Sequence, residues 1–165
     1  MASPCAQWRV RFNAQFRVLH EGFLMMGLRL EDFPSRTYDK LRYGDTDRQG
    51  HVNNAVFATL FETGRVHVFH EGETPLLVAG FSFVIARIVI DYRAELFWPG
   101  LVEIGTGVTK IGNSSMTFAQ ALFQAGRLAA TAESVVVQVG GVPRKAAALP
   151  AETKARLAGM MINPA

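Results

Sequence analysis

The chain has 165 residues, 49% of them hydrophobic and 19% charged, which suits a single folded domain with its own core and excludes an intrinsically disordered chain. No apolar run reaches the roughly 18 residues of a membrane span. The lone Cys5 excludes an intrachain disulfide and a cysteine-built zinc site, and fits a reducing, cytoplasmic setting. The formal charge is +3, but Arg9, Arg11 and Arg17 supply all of it, and the other 14 basic residues match the 14 acids. Composition therefore gives no case for a nucleic-acid binder.

Residues 1–26 stand apart from residues 27–165, which read as the domain. They carry arginines and no acid before Glu21. Three readings stay open for them: an Arg-rich, acid-poor transit-like segment, an overextended start upstream of Met25 or Met26, or an extra element packed on the domain.

Thr37–Tyr43 then reads as a short strand, and Gly44–Gly50 as a turn with two Asp and two Gly. Asn53 or Asn54 is placed to cap a helix running to about Glu71, with Val56, Leu60 and Phe61 at helical spacing and Gly72 as its stop. Four β segments follow: Phe81–Leu96, Leu101–Ile111, Ser115–Gln124 and Arg127–Val139. Trp98-Pro99-Gly100, Gly112-Asn113 and Ala125-Gly126 form the turns between them. Pro150 starts a short closing helix, with Glu152 early and Arg156 late, as the helix dipole favours. Short turns between neighbouring strands imply antiparallel pairing, and one helix against a long sheet is an α+β arrangement.

The chemistry concentrates in Arg42–Arg65, RYGDTDRQGHVNNAVFATLFETGR. Carboxylates, a His and two Asn surround a loop that feeds a helix N-terminus, where unpaired N–H groups and a partial positive charge suit a carbonyl oxygen. An Asp just upstream can then act on the carbonyl carbon directly or through water.

The stretch GDTDRQGHVNNAVF followed by FETGR closely resembles the hotdog-fold acyl-CoA thioesterases of the 4-hydroxybenzoyl-CoA thioesterase superfamily. It is also similar to the DxDxxxHVNN segment of plant acyl-ACP thioesterases. The resemblance spans roughly residues 38–157. It implies a five- or six-stranded antiparallel sheet wrapped around one helix, hydrolysis of an acyl-CoA to free acid and CoA, and no metal or cofactor. It also implies a homodimer or homotetramer with sites between protomers. Asp47 matches the family's catalytic Asp, as nucleophile or general base, and Asn54 matches the position whose backbone N–H contacts the thioester oxygen. His51 matches the His of the plant enzymes; it reads equally as a loop-packing His. Gln49 stands where those enzymes have Asn and is placed to orient a water, with Gly50 beside it.

Substrate-binding candidates are Gln49, Gly50, Asn113, Ser114, Ser115, Arg144 and Lys145. The hairpin at Gly112–Ser115 lacks the basic residues of the benzoyl-CoA enzyme, and backbone N–H and hydroxyl groups are the phosphate donors expected of it. Arg144 and Lys145 are the basic candidates, and an acyl-carrier-protein substrate stays open beside CoA. Other polar residues read more simply. Asp45 and Gly44 form the turn, Asn53 caps or anchors, and Glu62 and Arg65 are spaced to pair on the helix, with Glu62 the fallback catalyst. His67 and His70 suit the helix C-terminus. Arg87, in an apolar strand, is expected to snorkel or meet an acid. Two rivals remain: a hotdog hydratase or dehydratase, and a non-catalytic acyl-CoA or acyl-carrier binding protein.

Overall fold

The computed structural model describes residues 27–70 and 76–162; the readings placed on residues 1–26 and on Gly72 lie outside these. Its central element is helix α1 (Asn54–His70), whose buried positions Phe57, Leu60, Phe61, Gly64, Val68 and Phe69 recur at three- and four-residue spacing. That apolar face needs a cover, and the strands supply it. They are β1 (Ser35–Lys40), β2 (Phe81–Tyr92), β3 (Leu101–Ile111), β4 (Ser115–Gln124), β5 (Arg127–Gly140) and the two-residue β6 (Lys145–Ala146). All pair antiparallel, in the order β1-β3-β4-β5-β2, with β6 on β5. A short helix α2 (Ala151–Ala158) closes the chain. The fold is α+β, as the sequence implies.

Two apolar clusters lie along α1. At its N-terminal half Phe57, Leu60 and Phe61 meet Leu41, Leu96, Val102, Ile104 and Leu122. At its C-terminal half Val68 and Phe69 meet Val108, Met116, Phe118 and Val136. The opposite face of the sheet is covered too. Phe33 lies where a Cβ on Gly105 would sit, and Ile162 does the same at Gly107, so both glycines are required by close approach rather than by backbone conformation.

Between helix and sheet lies a polar network. The buried Arg65 donates to Gln120 Oε1 (3.0 Å) and Ser134 Oγ (3.1 Å), while Gln120 Nε2 donates to the Phe61 carbonyl (2.9 Å) and Thr106 Oγ1 (3.1 Å). Arg65 thus turns inward, and the expected Glu62–Arg65 pair is replaced by neutral partners on β4 and β5. Burial pushes the guanidinium pKa below its ordinary value, and the Glu62 charge offsets part of that. Three strands are keyed to the middle of the helix by these bonds, which fixes its position along the sheet. A Cβ on Gly64 would lie 2.7 Å from Ile104 Cγ2 and 2.8 Å from both Gln120 Nε2 and Thr106 Oγ1. Gly64→Ala is therefore expected to lower stability by about 1–3 kcal/mol, read as a lower urea midpoint at unchanged slope.

Two strand ends fall well short of expectation, and one strand was not expected. β1 ends at Lys40 instead of Tyr43, because Tyr43–Asp45 tightens into a 3₁₀ turn closed by the Arg42 N–H on Asp45 Oδ2 (2.7 Å). β2 ends at Tyr92, short of Leu96, because the N–H groups of Arg93 and Ala94 both go to the Ala129 carbonyl and break the ladder. β6 had no sequence signal. Arg87 on β2 is bonded to Glu133 on β5, so of its two expected readings it takes the acid partner. Among the described residues no helix is long and apolar enough to cross a membrane.

Candidate active site

The motif folds as a small hairpin leading into α1. Thr46 and Val52 form a β-bridge, the Asp47 N–H donates to the His51 carbonyl (2.8 Å), and the Gly50 N–H donates to the Asp47 carbonyl (3.1 Å). Gly50 has φ +85°, a left-handed conformation that disfavours any side chain. The base of the hairpin is fixed by the Val52 N–H on the Leu96 carbonyl and the Asn53 N–H on the Asp45 carbonyl.

The two carboxylates differ in duty. Asp45 closes its own turn. Asp47 accepts the Gln49 N–H on Oδ1 (2.7 Å), which orients the carboxylate, and among the described residues no hydrogen bond occupies Oδ2. Asn53 is the cap, its Oδ1 accepting the Ala55 N–H (2.9 Å), and Asn54 is the first helical residue. A residue there has no intrahelical acceptor for its N–H, and among the described residues no hydrogen bond occupies the Asn54 N–H. The site therefore offers an aligned carboxylate and a free donor at the positive end of a 17-residue helix.

Side chains distant in sequence complete the surroundings. Tyr92, at the end of β2, donates from its hydroxyl to the Asn54 carbonyl (3.2 Å) and packs edge-on against Phe57. His51 lies edge-on to Phe97, with Nδ1 3.4 Å from Glu95 Oε1. Gln124 holds both the N–H and the carbonyl of Phe97, and Arg127 donates to the Glu95 carbonyl. Sequence reasoning missed Glu95 and Tyr92. Both stand ahead of the Trp98-Pro99-Gly100 turn, and no local pattern signals that Glu95 meets the hairpin and Tyr92 meets α1.

The candidates separate into two groups. Asp47, Gln49, Gly50, His51 and Asn54 share the hairpin and the helix start. Asn113, Ser114 and Ser115 gather with Arg144 and Lys145 at the other end of the sheet. There the Gln138 N–H meets the Ser114 carbonyl, the Leu149 N–H meets the Asn113 carbonyl, Lys145 pairs with Gly140, and Arg144 donates to Ser82 Oγ. The helix between the ends has 17 residues, a length of about 25 Å. One chain alone does not bring the two groups together. Among the described residues no cluster of three or more His, Cys, Asp or Glu is arranged to hold a metal ion.

An antiparallel sheet curled around one helix defines a hotdog-type domain, here with an acid in the hairpin that leads into the helix. Residues 41–157 match the family model described as Thioesterase-like superfamily, and the chain belongs to that superfamily. It is 30% identical over 129 residues to the acyl-CoA thioester hydrolase YbgC of Escherichia coli O6:H1, covering 76% of this chain and 93% of that protein. Among solved structures it resembles a thioesterase complexed with coenzyme A and Zn from Thermus thermophilus. The TM-score is 0.70 at 29% identity, over 79% of this chain and 96% of the other. It also resembles a predicted thioesterase from Bacillus stearothermophilus, with a TM-score of 0.69 at 26% identity, over 79% and 98% of the two chains.

Proposed function

We propose that the protein hydrolyses an acyl-CoA thioester to the free acid and CoA, with Asp47 and the Asn54 N–H as the reacting site. The observation that carries this is a carboxylate, Asp47, oriented by the Gln49 N–H in the hairpin that leads into α1, whose first N–H has no hydrogen bond among the described residues, in a chain of the thioesterase superfamily. The thioester oxygen accepts the Asn54 N–H, and the helix dipole stabilises the charge that grows on it. Asp47 then either attacks the acyl carbon, expelling the thiolate, or removes a proton from a water that attacks it. Both routes end in the same products.

The working unit is a homodimer paired through β2. That strand has 12 residues, no described strand pairs with its outer edge, and Val84 and Ile85 are exposed on it. Long apolar edges of this kind are normally covered. A two-fold axis near mid-strand sets the Phe81 end of one β2 against the Tyr92 end of the other. The partner's Arg144 and Lys145 then approach the Asp47 site, where they suit the phosphates of CoA. The lone cysteine fits work in the cytoplasm.

The test is thiol release from short, long and aromatic acyl-CoAs. Turnover of at least one class is expected; no release from any refutes the hydrolase reading. Asn54→Ala is expected to keep most of this activity, since the proposed donor is a backbone N–H. A loss equal to that of Asp47→Asn would assign the Asn54 side chain a direct part.

A further inference from the structure

The Asp47 site has a second carboxylate that the motif does not contain. Glu95 Oε1 stands 3.4 Å from His51 Nδ1, within ion-pair distance. Its backbone is fixed by Arg127 on its carbonyl (2.7 Å) and by the neighbouring Leu96 carbonyl, which accepts the Val52 N–H (2.9 Å). The ring of His51 is held edge-on by Phe97. Among the described residues nothing bonds its other nitrogen, Nε2. The bridge at Thr46 and Val52 makes Asp47 and His51 the next facing residues of the hairpin, joined by the Asp47 N–H on the His51 carbonyl. Facing residues of an antiparallel pair send their side chains to the same side, with Cβ atoms about 4.5–5.5 Å apart.

We propose that Glu95 is a positioning residue, holding the Nδ1–H tautomer of His51 so that Nε2 takes the proton from the hydrolytic water. The inference rests on the hydrolase reading above and divides its labour. Asp47 Oδ2 attacks the acyl carbon, the C–S bond breaks, and the sulfur leaves with the electron pair, giving an acyl–Asp47 anhydride and a thiolate. Water then attacks the acyl carbon and loses a proton to His51 Nε2. The bond from the acyl carbon to Asp47 oxygen breaks, and its electron pair restores the carboxylate. The imidazolium returns its proton to solvent or thiolate. A carboxylate on Nδ1 orients the ring and fixes its tautomer.

The experiment is rapid-mix thiol release by wild type and Glu95→Gln, with His51→Gln as a second variant. The Glu95 side chain is 59% exposed, so its amide is expected to leave the thermal midpoint unchanged. Glu95→Gln is expected to release one thiol per site at the wild-type rate and then turn over about 10–100-fold more slowly. His51→Gln is expected to show the same first release and a slower second phase. Steady turnover of Glu95→Gln equal to wild type would overturn the proposal, and so would an equal slowing of both phases, which marks a purely structural role. Wild type that releases no thiol would instead defeat the underlying hydrolase reading.

Discussion

Asp47→Asn is expected to cut the kcat of thiol release by at least about 10²–10⁴-fold, the range for losing a positioned acid–base group and a lower bound for losing a nucleophile. The substitution isolates chemistry from folding. An Asn retains the side-chain oxygen that accepts the Gln49 N–H, so the hairpin keeps its shape and the thermal midpoint is expected to hold. Asp45→Asn is the matching control. Its side chain serves the Arg42 N–H, an acceptor duty that the amide oxygen also performs, and turnover is expected to stay near wild type. Steady-state kinetics on both variants, beside their melting curves, checks the pair. Equal turnover in wild type and Asp47→Asn would remove Asp47 from the reaction and shift the reading toward a lyase that uses His51 or Glu62.

Much of this architecture is legible in the chain because its signals are local. Val102, Ile104, Thr106 and Val108 alternate with residues on the other face of β3, and the Gly112-Asn113 turn fixes the next strand. The local geometry around the proposed reacting residues was legible for the same reason: loop, cap and helix start fall within one short stretch, so their spacing alone sets most of it. What was not legible depends on distant partners. The i,i+3 spacing of Glu62 and Arg65 suggests a surface pair, but Gln120 and Ser134, polar residues at inward positions of β4 and β5, draw the guanidinium inside. The end of β2 hinges on one carbonyl, Ala129, accepting two successive N–H groups. Glu95 reaches His51 only because the ladder to β5 ends there and the chain turns back over the hairpin.

Lysines at both Val84 and Ile85 are expected to convert the proposed dimer to an 18.1 kDa monomer and to lower turnover in the same step. The two residues occupy successive positions of β2, so their substitution places charge on both faces of the unpaired edge, where apolar pairing would have to bury it. Sedimentation and thiol release on one preparation check both effects. A wild-type monomer with full turnover would refute the dimer. The reason to expect loss of activity is the separation within one chain: Asp47 lies at the Tyr92 end of the sheet and Arg144 at the Ser82 end. A sharper test follows from that geometry. Arg144→Ala/Lys145→Ala is expected to raise KM more than it lowers kcat, because phosphate contacts serve binding. Mixed one-to-one with Asp47→Asn and allowed to exchange, it is expected to recover about a quarter of wild-type sites, since half the dimers are then mixed and each mixed two-fold dimer holds one intact site. No recovery on mixing would mean that each chain supplies its own phosphate contacts, and the two-fold composite site would have to be abandoned.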